Sequence, residues 1–264
     1  MSSTPAARGP VAPPTADREV PVVTTALVVA VDGPSGSGKS SVSRATAASL
    51  GLAFLDTGAM YRAVTWAVLE AGVDLSDAAA VAAHVRTVAL VVGTDPQAPT
   101  VATVVDGAEV DLTDAVRTPR VTANVSAVAA VPAVRQDLVL RQRALIEAAC
   151  LAPGPGREPG VVAEGRDITT VVAPDADVRV LLTAEESVRL ARRARQDLGT
   201  ADTEALEATR RGVVERDRLD ARTTAFTTAA DGVVTVDSTT LDFDGTVAAV
   251  LEVVGRRVRA GGHA

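Results

Sequence analysis

The stretch "GPSGSGKS", Gly33 to Ser40, constrains this chain more than any other. It fits the spacing Gly, four residues, Gly-Lys-Ser/Thr, and lies between a strand-like run, "ALVVAVD" (26–32), and a helical segment reaching about Ser49. Glycines let a loop bring backbone N–H groups up to phosphate oxygens, and the following helix N-terminus adds further donors and partial positive charge. Lys39 is the only lysine, since 25 of the 26 basic side chains are arginine. An ammonium on a thin stem fits inside a loop closed around phosphates, whereas a planar guanidinium is wider and prefers forked contacts. Gly33, Pro34, Ser35, Gly36, Ser37, Gly38, Lys39, Ser40 and Ser41 are therefore expected to hold a nucleoside triphosphate. Lys39 would reach its β and γ phosphates, and the Ser40 hydroxyl would ligate magnesium.

The rest of the chain must supply a sheet edge for that loop. At 264 residues it can form one sizeable domain with an insertion. With 47% hydrophobic but only 2% aromatic residues, its core must be layered mainly from Val, Ala and Leu. A net charge of −7 gives no reason to expect nucleic acid or an anionic membrane as partner, so any anion site must be local. The single cysteine, Cys150, excludes an internal disulfide and a multi-cysteine metal site, and fits a reducing cytoplasm. No apolar run approaches the roughly 18 to 20 residues of a membrane span, and no signal peptide is read.

Residues 1–24 are rich in Pro, Ala, Thr and Ser without periodicity and are expected to form a disordered tail. Beyond them, short β-branched runs alternate with helical Ala/Arg/Leu segments, the pattern of a parallel sheet with crossover helices. Five strands are expected: 26–32, 52–56, 160–165, 178–183 and about 232–236. The interval between the second and third is too long for one crossover. It contains "VRTVALVVG", "TVATVVDG" and "EVDLTD", which read as a small antiparallel meander with Asp106-Gly107 as a two-residue turn. A helical stretch restarting near Pro132 follows, and then a closing loop, "LAPGPGREPG" (151–160).

A phosphate loop by itself leaves open whether the chain is an enzyme or a molecular switch. Switch GTPases read guanine through an Asn-Lys-x-Asp stretch, which a chain without a second lysine cannot build. Arginine-bearing segments instead point to a second phosphate. "DTGAMYRA" and "AEGRDITT" each follow a strand and so reach the same carboxyl edge as the phosphate loop. "RLARRARQD" (189–197) places Arg189 and Arg193 four apart on a helix, where like charges repel unless an anion or an acid such as Glu185, Glu186 or Asp197 lies between them. This segment is either a mobile lid meeting the triphosphate or a solvated helix face. Arg216 and Asp220 in "VERDRLDAR" are spaced as an ordinary i,i+4 ion pair. Trp66 reads as core, and His84 as a solvated residue.

Taken in order, "GPSGSGKSS", "LDTGAMYRAV", "LTDAVRTPRVTANVSAVAAVPAVRQDLVLRQR", "EGRDITTVVAPDADVRVLLTA", "RLARRAR", "ERDRLDAR" and "VDSTT" resemble bacterial cytidylate kinase, of the P-loop nucleoside monophosphate kinases. The resemblance runs from about Leu27 to the C-terminal helix. It implies an α/β fold of the P-loop NTPase type. The parts would be a core at 25–70 and 160–264, a monophosphate-binding insertion at about 71–159 with a small antiparallel sheet, and a helical lid at about 189–215. It also implies a monomer that transfers the ATP γ-phosphoryl group to CMP or dCMP with magnesium; kinases preferring UMP or AMP are the related alternatives. Residue by residue, it implies that Thr57 and Arg135 meet the cytosine edge and that Tyr61 belongs to the acceptor site. Ser126, Arg216 and Asp220 would hold the ribose region. Arg62 and Arg166 would bind the acceptor phosphate, with Asp167 orienting neighbouring arginines. Lys39, Arg166 and a lid arginine, Arg192 or Arg193, would stabilise the transferring phosphoryl group. Two departures stand out. Thr169 takes the place of the family's usual glycine, which a β-branched residue fills only if the backbone avoids positive φ. Arg222, the base-contacting candidate, falls two positions after Asp220 instead of three, with Thr223 in the expected place, and "TTAFTT" follows where the family tends to have a proline.

Overall fold

The computed structural model describes residues 26–221, 224 and 226–261, without the side chains of Arg211, Glu215 and Arg216. The expected tail at 1–24 lies outside the described residues. The chain runs β1 (Leu27–Asp32), α1 (Lys39–Leu50), β2 (Ala53–Asp56), α2 (Thr57–Glu70), α3 (Ala78–Thr87), β3 (Leu90–Gly93), β4 (Thr100–Val105) and β5 (Ala108–Asp111). A 3₁₀ turn (Ala115–Arg117), α4 (Pro119–Ala129), α5 (Pro132–Leu151) and β6 (Gly160–Gly165) follow. A π turn (Ile168–Val172), β7 (Val178–Thr183), α6 (Glu186–Leu198), α7 (Thr203–Asp220), β8 (Val234–Asp237) and α8 (Phe243–Gly261) complete it.

Five parallel strands form the main sheet in the order β2-β6-β1-β7-β8. The near-continuous Val, Ala and Leu content of β6, β1 and β7 follows from burial on both faces, whereas the edge strand β8 buries only Val236. Val29 and Val31 of β1 point into a cluster with Val42, Leu50, Val250 and Val254 of α1 and α8. Ala30, one position out of phase, joins the opposite cluster with Met60, Val64, Val81, Val134 and Leu138 of α2, α3 and α5. Chain order reverses around β1, because β2 and β6 lie on one side of it and β7 and β8 on the other. That reversal opens a crevice at the carboxyl ends of the strands, where Asp32, Asp56 and Gly165 terminate.

The expected meander is the antiparallel sheet β3-β4-β5. Its turn carries φ values of 51° at Asp106 and 81° at Gly107, the pair of positive angles a tight primed hairpin requires. Val101, Leu112 and Val116 pack there against Ala63 and Trp66 of α2, so Trp66 is core, as expected. Pro132 opens α5, again as expected. The last strand begins at Val234, two residues later than expected, because Gly232 at φ 74° still belongs to the preceding turn.

Candidate active site

β1 delivers Asp32 to the sheet edge, and the loop from Gly33 to Gly38 turns the chain into α1 at Lys39. Gly36 is held at φ 77°, and a Cβ there would sit 2.4 Å from the Arg189 carbonyl oxygen of α6, so position 36 needs both the conformation and the space of glycine. Gly38 caps α1 without offering a side-chain acceptor, which leaves the first-turn amides to an incoming anion. The Ser40 hydroxyl donates to Glu164 Oε1 at 2.6 Å. Glu164, at the end of β6, is buried, and desolvation together with the neighbouring Asp56 carboxylate pushes its acid up to about 8 against the opposing pull of Lys39 and Ser40.

Asp32 ties this loop to the next. Its carboxylate accepts the backbone N–H groups of Ile168 and Thr169, both at 2.9 Å, and the Thr169 hydroxyl at 2.6 Å. Burial raises its pKa, and these bonds and Lys39 act against the rise. Thr169 is accommodated because its φ is not positive: among the described residues Asp106 is the only non-glycine with that backbone.

Across the crevice, α2 presents Arg62, whose Nη1 donates to the Val116 carbonyl at 3.1 Å and to Thr122 Oγ1 at 2.8 Å. Burial first, then the cations Arg193, Arg117 and Arg166, lowers its pKa. All four guanidinium-bearing residues, from α2, the 3₁₀ turn, the turn after β6 and α6, line the same cleft. Arg135 of α5 pairs with Asp167. The Tyr61 hydroxyl beside that pair is buried without a hydrogen-bond partner among the described residues, and burial and Asp167 raise its pKa. Thr57 donates its hydroxyl to the Glu164 carbonyl at 2.8 Å, fixing the start of α2 to β6. Ser126 of α4 donates to Asp220 Oδ1 at 2.8 Å. Arg166 Nε lies 2.9 Å from Asp220 Oδ2, its Nη1 lies 3.0 Å from Asp217 Oδ1, and its guanidinium stacks 4.3 Å from the centroid of Phe226.

One cleft of about 1350 Å³ brings together Ser35 to Ser41 with Thr57, Tyr61, Arg62, Ser126, Arg135, Arg166, Asp167, Arg192, Arg193 and Asp220. Gly33 and Pro34 are not part of its wall; Gly33 backs onto the Leu182 carbonyl oxygen, which a Cβ would approach to 2.2 Å. Arg192 hydrogen-bonds Ser238 Oγ and Ser238 O, both at 2.8 Å, and Leu241 O at 3.0 Å. Arg193 faces the other way, onto Asp197 at 2.6 Å and toward Arg62. Arg222 and the side chain of Arg216 lie outside the described residues. Sequence reasoning missed Glu164, Asp32, Asp217, Arg117 and Phe226. Glu164 and Asp217 stand inside motifs already singled out, next to the arginines that drew attention.

A glycine loop at the reversal point of a parallel sheet, facing a bank of arginines one cleft away, defines a P-loop protein built to bring two anionic groups together. A family model described as cytidylate kinase matches residues 29–256. The chain is 44% identical over 238 residues to a cytidylate kinase of Streptomyces griseus, covering 89% of this chain and 96% of that protein. It is 46% identical over 237 residues to that of Streptomyces coelicolor, covering 89% and 95%, and 46% identical over 239 residues to that of Rhodococcus opacus, covering 90% and 99%. The chain belongs to the cytidylate kinase family.

Proposed function

We propose that this protein transfers the γ-phosphoryl group of ATP to CMP and dCMP, giving ADP and the cytidine diphosphates. The observation that carries the reading is the convergence of Arg62, Arg117, Arg166 and Arg193 across one cleft from Lys39 and the phosphate loop. The amides of the loop and Lys39 hold the donor phosphates. An acceptor phosphate oxygen attacks the γ-phosphorus in line, and the bond to the β–γ bridging oxygen breaks with ADP as leaving group. The attacking oxygen of the acceptor phosphate is already ionised near neutral pH, so no general base is required. Catalysis then rests on positioning and charge neutralisation, with Arg62 and Arg166 on the acceptor phosphate and Lys39, Arg166 and Arg193 on the transferring group. Arg192, committed to the 238–241 loop, serves the donor side.

No cluster of three or more His, Cys, Asp or Glu able to hold a metal occurs among the described residues, so magnesium would depend on nucleotide phosphates with Ser40 and Glu164. A hydroxyl hydrogen-bonded to one acid suits that ion, which keeps most of its ligands as water and phosphate oxygen. When bound, it neutralises charge on the β and γ phosphates. On the acceptor side, Thr57, Tyr61, Arg135 and Asp167 surround the base, and Ser126 and Asp220, already bonded to each other, face the ribose. A site built to pair a base's polar edge rejects bases that leave those groups unpaired. The core at 25–70 and 160–264, the acceptor-binding insertion at 71–159 and the lid at 189–215 are the working parts of a monomeric, cytoplasmic enzyme. ADP release with CMP, dCMP, UMP and AMP tests this. CMP and dCMP should support turnover well above the other two; preference for UMP or AMP would move the assignment, and no acceptor-dependent release would refute it.

A further inference from the structure

Asp217 of α7 lies outside the wall of the cleft, yet it joins three functional elements. Its Oδ1 accepts the Ser35 backbone N–H at 3.1 Å and lies 3.0 Å from Arg166 Nη1, while its Oδ2 accepts Arg189 Nη1 at 2.7 Å. The same Arg189 nitrogen donates to the Ser35 carbonyl at 2.7 Å. Both backbone polar groups of Ser35 are thus engaged by one acid–arginine pair, and the Arg189 main chain lies against Gly36. The three side chains are only 13–14% exposed, so solvent screens them weakly.

We propose that Asp217 is a positioning residue for phosphoryl transfer: its carboxylate sets Arg166 at the rim of the phosphate loop and, through Arg189, clasps the base of α6 to Ser35. The inference rests on the functional reading above, in which Arg166 contacts the transferring phosphate. Two partly desolvated guanidinium groups sharing one acid, with Arg166 also near Arg62, repel one another, and the carboxylate between them fixes their spacing while neutralising one charge. An amide cannot replace it. Asparagine offers one acceptor oxygen, and its NH₂ in the other position would point a donor at Arg189, or at Ser35 and Arg166, whichever way it is turned.

Steady-state kinetics of Asp217→Asn should show kcat reduced roughly 30-fold or more, with KM for ATP and CMP changed less than about threefold, as expected for a misplaced group in the transition state. In an Arg166→Ala background the same substitution should cost less than about threefold, because its effect passes through Arg166. An undiminished loss in that background, or a change confined to KM, overturns the proposal. Hydrogen exchange in the nucleotide-free proteins decides the clasp separately, with circular dichroism confirming the fold and Asp217→Glu as the charge-preserving variant. The Ser35 amide should exchange at least about tenfold faster in the Asn variant than in wild type, and equal rates overturn the clasp. Wild-type protein without CMP-dependent ADP release would refute the functional reading, and Ser35 exchange would still report on Asp217.

Discussion

Replacing Thr169 by valine removes one hydroxyl while nearly keeping the shape. That hydroxyl is the third donor to Asp32, whose residue is 1% exposed, and it stands 2.6 Å from Oδ2. Only an ionised carboxylate can accept all three donors in full, and a hydrogen bond to a charged group contributes about 1.5–3 kcal/mol. For a chain of this size each kcal/mol corresponds to roughly 2–4 °C in Tm, so Thr169→Val should lower Tm by about 3–12 °C. In an Asp32→Asn background the bond becomes neutral, and the same substitution should cost only about 0.5–1.5 kcal/mol. Differential scanning calorimetry at pH 7 on the four proteins of this cycle gives both numbers. Because the π turn follows directly on Arg166 and Asp167, kcat should fall several-fold alongside. A Tm that is unchanged or raised in Thr169→Val, or equal losses in both backgrounds, would refute the claim that Asp32 acts as a charged anchor for this turn.

Lys39→Ala should lower kcat by a factor on the order of 10² to 10³ with little change in Tm, measured by coupled ADP release and calorimetry. Glu164 carries a pH signature: its folded pKa, about 8, lies above the ordinary 4.5, so its contribution to stability is complete below about 4.5 and is lost as pH rises through 8. Glu164→Gln copies the neutral acid, accepting from Ser40 and donating to Asp56. In nucleotide-free protein with chelator it should match wild type at pH 5 and exceed its Tm by several degrees at pH 8.5, where an identical pair of Tm–pH curves would contradict the assignment. Phe226 is fully buried and its ring covers Arg166, so Phe226→Leu should cost about 1–2 kcal/mol and lower kcat, while Leu variants of core positions remote from the cleft should leave kcat intact.

The main sheet was legible because each strand is a short apolar run closed by Gly, Asp or Thr, and the inner parallel strands, buried on both faces, leave that composition behind. The meander was legible from Asp106-Gly107, whose backbone demand is local. What escaped notice depends on pairing between distant segments. The Ser40–Glu164 bond spans 124 residues and the Ser35–Asp217 bond 182, and no periodicity within either segment announces them. The arginine helix illustrates both sides. Asp197, an acid placed to relieve the Arg189–Arg193 spacing, does pair with Arg193, but Arg189 turns to Asp217 on the next helix instead. Likewise Asp220, whose spacing in the sequence suggests Arg216, bonds Ser126 and Arg166 from two other elements. Thr169, in place of the family's glycine, is explained by its bond to Asp32, 137 residues away in the chain.

The central claim is that a triphosphate and a monophosphate meet end to end, one in the loop around Lys39 and the other among the guanidinium groups of α2 and the β6 turn. A crystal structure with CMP and a non-hydrolysable ATP analogue tests it most directly. The account predicts Arg62 and Arg166 within hydrogen-bonding distance of the CMP phosphate, with Lys39 on the γ-phosphate facing it. A CMP phosphate bound away from both arginines, with the analogue still seated in the loop, would contradict it.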